Sequence, residues 1–340
     1  MNAFTYTSPT DLSSALSLLG KSWGTTEVLA GGTDLLALLK DDVLAPSQLV
    51  NIKGIGTLHS LKNDKKTGLR AGCLIKLDEL ARNEQIGKLY PTLAMALGDA
   101  ASPQIRNMAT LGGNLCQRPR CWYFRNGYGL LALDANGQSL VLKGDNRYHA
   151  ILGDGGPAYF VSPSTIAPVL VALGASIDIA GSKGIRSVPL ESFYRIPQKQ
   201  GQREHDLSPD EILVFVNLPP PSPGSSTSYY EVRQKHGFDW PAATATVSLI
   251  TKNKKVTSAS VVLGHVAPIP WRSKEAEAAL IGKVIDEDVA AAASQVALQP
   301  SRNLGQNGYK IQIARVALRR AIMQASGIVA PPPHPKGVQS

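Results

Sequence analysis

The chain has 340 residues, of which 43% are hydrophobic and 18% charged, and a net charge of +9. That length supports two or three domains with their own cores and excludes a small scaffold stapled by disulfides. The basic residues are scattered, with no dense run interleaved with aromatics. A solvated basic face, suited to acidic partner subunits, therefore accounts for the charge better than nucleic-acid binding does.

The opening MNAFTYTSPTDL has no charged n-region and no apolar h-region, so no signal peptide is expected. The longest apolar run, 167–175, is far too short for a membrane span. The cysteines Cys73, Cys116 and Cys121 make no disulfide framework and suggest a reducing compartment. A cytoplasmic location is expected, periplasmic only if a partner subunit carries the chain out.

The first helix signal is Ser8-Pro9-Thr10-Asp11, with Ser8 as N-cap and Pro9 at the first position. Leu12, Ala15, Leu16 and Leu19 follow at helical spacing, and Gly20 stops the run. A short buried strand over 27–30, a glycine turn and a helix over 33–40 come next. Strands are expected over 48–52 and 68–72, and helices over 77–83 and 87–100. Residues 117–146 form a long Gly-, Arg- and Asn-rich loop, of a kind usually tied to function. Ser162–Ser164 caps a helix running to Leu173, and strands follow at 175–180 and 211–218. Pro219–Ser228 (PPPSPGSSTS) is the best linker. Beyond it, strands over 229–233, 243–251 and 255–264 suggest an antiparallel sheet, and helices follow over 273–281, 286–298 and 308–324. A Pro-rich tail ends the chain.

Two glycine pairs carry the chemistry: A-G-G-T-D-L-L at Ala30–Leu36 and A-T-L-G-G-N-L at Ala109–Leu115. Each follows an apolar stretch and has a hydroxyl or carboxamide beside its glycines. Such a pair lets the backbone turn through positive φ and approach a ligand, with successive N–H groups forming an anion site. Two of them suit a long, diphosphate-bearing ligand held at two points. Taken singly, each is equally compatible with a plain turn. Neither is a P-loop or a G-x-G-x-x-G fingerprint. His149 and His265 have no partner at metal spacing and are expected to be structural; His334 in the tail has no evident role. No nucleophile–base constellation or carboxylate pair is evident.

The series LAGGTDLLALLK (29–40), VNIKGIG (50–56), SPQIRNMATLGGNL (102–115), CWYFR (121–125), GDNRYHAIL (144–152) and LGHVAPIPWR (263–272) resembles the FAD-binding subunit of molybdenum-containing hydroxylases. This is the xanthine dehydrogenase and aldehyde oxidoreductase family. The series is most similar to the medium subunit of bacterial three-subunit aldehyde oxidoreductases, from about Phe4 to Ala325. The resemblance implies an α+β fold. A two-subdomain FAD-binding domain of the vanillyl-alcohol oxidase type would span 1–218, divided near 53. A linker over 219–228, a C-terminal domain of antiparallel sheet plus helices over 229–328 and a tail over 329–340 would follow.

The resemblance also implies function. FAD would contact Leu29, Ala30, Gly31, Gly32, Thr33, Asp34 and Leu35 at one loop, and Thr110, Gly112, Gly113, Asn114 and Leu115 at the other. Thr165 stands where the family usually has an Asp that contacts the flavin. Glu231 stands where the family often has Lys, leaving Arg233, Lys235 or neither as the cation near the ring. The subunit would take electrons from the [2Fe–2S] clusters of a small partner and pass them to an external acceptor, while a large molybdopterin-binding partner oxidises the substrate. Neither nucleic acid nor membrane is an expected partner. A free-standing FAD oxidase and a flavin-less scaffold subunit are the alternatives. Close relatives carry four cysteines in the 117–146 loop and bind a [4Fe–4S] cluster. Here only Cys121, with Cys116 as a second thiolate, is at hand, so no cluster is expected. The rings of Trp122, Tyr123 and Phe124 are expected to hold the loop instead.

Overall fold

The computed structural model describes residues 1–153, 156–234 and 239–328; Lys235 and the tail with His334 lie outside the described residues. Twelve strands among these form three sheets. The first is parallel, in the order β1 (Thr5–Thr7), β3 (Gln48–Asn51), β2 (Thr26–Leu29). The second is antiparallel and runs β4 (Leu61–Asp64), β5 (Gly68–Gly72), β8 (Ile212–Leu218), β6 (Ser176–Gly181), β7 (Gly184–Pro189). The third is also antiparallel and runs β12 (Trp271–Arg272), β11 (Lys255–Gly264), β10 (Ala243–Lys252), β9 (Ser225–Val232).

Two cores follow from this arrangement. One joins the second sheet to the helices Leu77–Ala81, Pro91–Asp99 and Ile166–Ala172 and includes Ala15 and Val50 from the first sheet's side. The other lies between β10, β11 and three C-terminal helices. The Tyr309–Ala325 helix shows how sequence makes this core. Ala314, Ala317, Leu318, Ala321, Ile322 and Ala325 recur at three- and four-residue steps and are all buried, so one stripe seats on the sheet. The Ile166–Ala172 helix, buried at every residue, packs against β10 and β11 as well as the Pro91–Asp99 helix and so pins the two cores together. Among the described residues no helix is long and apolar enough to cross a membrane.

Several expected boundaries move, each for a local reason. The first helix is Leu12–Ser17, capped by Asp11 and not Ser8. The Asp11 carboxylate accepts from Ser14 N (2.9 Å) and Ser14 Oγ (2.7 Å), two bonds that the Ser8 hydroxyl has no means of matching. The helix expected over 87–100 is split into Glu84–Leu89 and Pro91–Asp99, because Pro91 supplies no N–H and restricts Tyr90 before it. Asn83, expected inside the preceding helix, instead caps Glu84–Leu89. The C-terminal sheet begins at Ser225, inside the expected linker, since 225–228 pair with 247–250 of β10.

Candidate functional site

The two glycine loops meet. An added Cβ on Gly31 would lie 2.1 Å from the Met108 carbonyl oxygen, so the first loop sits directly on the backbone that leads into the second. Of the four glycines only Gly32 has a positive φ, +75°. The expectation that both pairs turn through positive φ is therefore corrected. Gly31, Gly112 and Gly113 are small because of close packing: an added Cβ on Gly112 would lie 2.7 Å from Cys73 Cβ, and one on Gly113 2.9 Å from Thr110 Oγ1.

The loops differ in what they leave open. In the first, the N–H groups of Gly31, Gly32, Thr33 and Asp34 make no hydrogen bond among the described residues. In the second the donors are spent. Leu111 N donates to Ile75 O, Gly112 N to Cys73 O, Gly113 N to Thr110 Oγ1 and Asn114 N to Thr110 O, at 2.8–3.1 Å. Gly112 and Gly113 lie not in an open loop but in the short helix Leu111–Leu115, which Thr110 caps. Its remaining polar capacity is in side chains. The Thr110 hydroxyl accepts from Gly113 and keeps its own proton to donate, and Asn114 Oδ1 accepts from Ser164 Oγ at 2.6 Å.

Two cavities open on either side of this junction. The first, about 180 Å³, is lined by Gly31–Leu35, Thr110 and Cys116 together with Trp23, Arg203 and His205. The second, about 260 Å³, is lined by Asn114, Thr165, Arg233 and the Ala100–Ser102 turn. They share Thr33, Asp34, Gly113 and Gln117, so one elongated ligand can run from one to the other past the unpaired N–H groups. Leu29 and Leu115 are buried behind the loops.

Charge converges here. The helix expected from Thr33 begins at Leu35, and Asp34, at its N-cap position, makes no side-chain cap bond. Its carboxylate faces the long loop instead: it accepts from Arg118 N (2.7 Å) and pairs with Arg125 (2.7 Å) and Arg120 (3.1 Å). Arg118 pairs with buried Glu204, and Arg203 with Glu27 (3.3 Å). Four arginines thus meet three carboxylates at the junction. Burial pushes the Glu204 carboxyl up, but Arg118, His205 and Arg203 outweigh it and hold it below its usual range. Burial also pushes His205 down to about 4. Sequence reasoning missed Trp23, Arg118, Arg203 and His205, because their partners lie far along the chain.

Other expectations fare unevenly. Thr165 lines the second cavity, yet it does not cap the following helix: Ser164 Oγ accepts from Ala167 N at 3.0 Å and takes that role. Arg233 also lines the cavity, but Glu231 pairs with it and Asp99 O accepts from it, so the Glu that replaces the family's Lys restrains the arginine beside it. Cys116 does not approach Cys121. It lines the first cavity with Cys73, and burial pushes its thiol up to about 12. Cys121 lies in a different cavity, 3.2 Å from His149 Nε2. No set of three or more His, Cys, Asp or Glu positioned for a metal occurs among the described residues. Phe124 is buried beneath the Arg118 guanidinium (4.9 Å), and Trp122 meets Tyr148 and His149 edge-on (5.8 and 5.3 Å).

An antiparallel flavoprotein-type C-terminal domain behind a two-loop anion cleft defines the class. A family model described as "FAD binding domain in molybdopterin dehydrogenase" matches residues 2–221, and one described as "CO dehydrogenase flavoprotein C-terminal domain" matches 228–325. The chain belongs to this family: it is an FAD-binding oxidoreductase subunit of the molybdenum hydroxylase type. It is 33% identical over 300 residues to the aldehyde oxidoreductase FAD-binding subunit PaoB of Escherichia coli, covering 87% of this chain and 90% of that one. It is 27% identical to the carbon monoxide dehydrogenase medium chain of Afipia carboxidovorans, covering 95% and 96%. The fold matches a solved CO dehydrogenase from Oligotropha carboxidovorans with a TM-score of 0.75 at 24% identity, over 96% of this chain and 98% of that one.

Proposed function

We propose that this chain is the electron-transfer subunit of a three-subunit molybdenum hydroxylase. A small partner with [2Fe–2S] clusters delivers the electrons, and a large molybdopterin-binding partner oxidises the substrate, an aldehyde by analogy with PaoB. The observation that carries the reading is the run of four N–H groups at Gly31–Asp34, unpaired among the described residues, at the junction of two cavities. A buried diphosphate needs many donors, and this loop holds them in reserve.

The residues then divide the work. Gly31–Asp34 donate to the diphosphate, and Leu29, Ala30 and Leu35 shape the turn. Gly112 and Gly113 let the second loop come close, while Thr110 and Asn114 add side-chain donors. The Asp34–Arg120–Arg125 strap closes the long loop over the cleft. Thr165 and Arg233 flank the cavity that takes the ring, leaving the cavity with Trp23 and His205 for the adenine end. When bound, FAD supplies the conversion of single-electron delivery into paired delivery. The flavin-binding unit ends near 218 and the C-terminal unit runs from 229 to 328. The complex works in the cytoplasm and its flavin subunit carries no [4Fe–4S] cluster.

The test is purification with native partners. One FAD per chain, identified by mass after extraction, with two co-eluting subunits, supports the reading. FMN, or a colourless protein that refuses FAD, overturns the cofactor assignment. A yellow protein that elutes alone and oxidises a substrate of its own would be an oxidase. Iron and sulfide analysis of the anaerobically purified chain checks the cluster: about four irons per chain, as a [4Fe–4S] cube demands, would refute its absence.

A further inference from the structure

The segment GDNRYHAIL (144–152) lies inside the stretch matched by the first family model, yet the C-terminal unit holds it. Four successive carbonyls of this segment are taken by one short stretch, 302–310. Tyr148 O accepts from Lys310 Nζ (3.1 Å), His149 O from Lys310 Nζ (3.2 Å) and Asn307 Nδ2 (3.3 Å), Ala150 O from Asn307 Nδ2 (3.0 Å), and Ile151 O from Arg302 N (2.7 Å). Lys310 also donates to His265 O (2.8 Å), so one buried ammonium ties two distant segments to its own helix. Ile151 N and Leu152 N both donate to Val266 O, and their side chains belong to the C-terminal core. Asn307 and Lys310 are buried, so removing either strands buried carbonyls without donors, which is the costly way to lose a hydrogen bond.

The other side of the same segment carries the run 118–125, which Asp34 draws over the cleft. Tyr123 Oη donates to Asp145 O (3.2 Å), Cys121 Sγ lies 3.2 Å from His149 Nε2, and Trp122 meets the Tyr148 and His149 rings edge-on. At its cleft end the run is held by Arg118 N, Arg120 and Arg125 on the Asp34 carboxylate. An unbroken line of contact thus leads from Asp34, through 118–125 and 144–152, to the first turn of the Tyr309–Ala325 helix. The two ends differ in strength. Arg120, one of the ion-pair partners at the cleft end, has 30% of its side chain exposed, so water competes for its pair with Asp34. The bonds from Asn307 and Lys310 are buried, where hydrogen bonds are stronger and unmade ones cost more.

We propose that the C-terminal unit holds the cover of the cleft shut from behind. Asn307 and Lys310 fix 144–152 as the base on which 118–125 folds over Asp34, and loosening that base opens the cover at the far end. The cover opens first at its weaker, wetter end and pivots on the dry one. Access to the cleft is thereby set by residues that do not touch it, in a part of the chain that the second family model assigns to a separate unit. This concerns the motion of the chain alone and holds whatever ligand fills the cleft.

The test is amide hydrogen exchange of the full-length chain, read by mass spectrometry. The reporters are Arg118 N, which donates to Asp34 Oδ2 (2.7 Å), and Arg125 N, which donates to Cys121 O (2.9 Å). Asn307→Ala and Lys310→Met should each speed exchange at both reporters about tenfold, although neither residue touches 118–125. Tyr123→Phe removes only the hydroxyl that reaches Asp145 O; it should give a smaller increase of the same kind, and it carries the test should the two buried variants fail to fold. Ala293→Gly, at a buried position on another helix of the same core, is the control: it should lower overall stability and leave the reporters as in the parent. Added to Asp34→Asn, each variant should contribute less than it does alone, because both ends then hold one element already loosened. Faster exchange confined to 144–152 and 302–310, or reporters that quicken as much in Ala293→Gly, overturns the proposal.

Discussion

The two glycine-pair loops look alike as text and differ as structures. The loop at Gly31-Gly32 keeps four successive N–H groups without partners among the described residues and turns through a positive φ at Gly32. The loop at Gly112-Gly113 spends its donors on the Ile75 and Cys73 carbonyls and on Thr110, and closes into a short helix. On the proposed function, one is the binding element and the other a brace that fixes it. Glycine serves both, in the first by backbone freedom at Gly32, in the second by the room that Cys73 leaves beside Gly112. A repeated motif in one chain therefore need not mean a repeated role.

The largest expected effect lies where brace and binding element touch. Gly31→Val puts a Cβ 2.1 Å from the Met108 carbonyl oxygen, backbone against backbone, with nothing flexible to yield. Loss of flavin with a destabilisation of about 5 kcal/mol is expected in denaturant melts. If Gly31→Val retains full flavin content, the loops do not depend on their contact. Next is Asp34→Asn, which leaves Arg120 and Arg125 without their common carboxylate. Removing one partner of a largely buried charge cluster should cost about 4 kcal/mol and expose the 117–128 segment to limited proteolysis. An unchanged digestion pattern would show that the strap is ornamental.

Much of this was legible in sequence, for a physical reason. Both loops and the strand that precedes the first are local signals, written within about ten residues. The helix periodicity of 309–325 and the β-branched runs of β10 and β11 are local too. What was not legible depended on distance along the chain. Asp34 reads only as part of the first glycine loop until Arg118, Arg120 and Arg125, more than eighty residues later, take its carboxylate. Cys116 and Cys121 read as neighbours, five positions apart, but the chain between them turns from one cavity to another. The helix break at Tyr90-Pro91 was within reach, since proline announces it, whereas Ser8 and Asp11 both satisfy capping rules and only the bonds made decide.

Acid should act on buried histidines on the binding side of the junction and elsewhere, and His205 reports the binding side. His205 lies in the first cavity, neutral, with its ring stacked on Phe193 at 5.4 Å. Its pKa falls from 6.5 to about 4 on folding, chiefly through burial. Between those values the unfolded chain binds a proton that the folded chain refuses, so stability is intact above pH 6.5 and declines as pH falls toward 4. The loss from this one ring is up to about 3 kcal/mol. The Glu204 carboxyl, held below its usual range by Arg118, adds to the loss at the acid end of the window. His205→Phe should flatten the slope of stability between pH 6.5 and 4; a variant as acid-sensitive as the parent would assign the effect to other groups.

The finest test concerns the brace itself. Thr110 Oγ1 accepts from Gly113 N at 3.1 Å, and its own proton is left for the cleft. Thr110→Ala removes the cap, which should cost about 1 kcal/mol. If the hydroxyl also donates to the ligand, the flavin Kd should rise by about tenfold or more, the value of one hydrogen bond to a charged oxygen. Thr110→Ser keeps the oxygen and its proton and should restore both quantities. The two readouts answer different questions. Stability that falls while the flavin Kd stays fixed would make the second loop a scaffold alone, and the asymmetry between the loops complete. Stability and Kd that move together, and recover together in the Ser variant, would make Thr110 a point at which the brace reaches the ligand it positions.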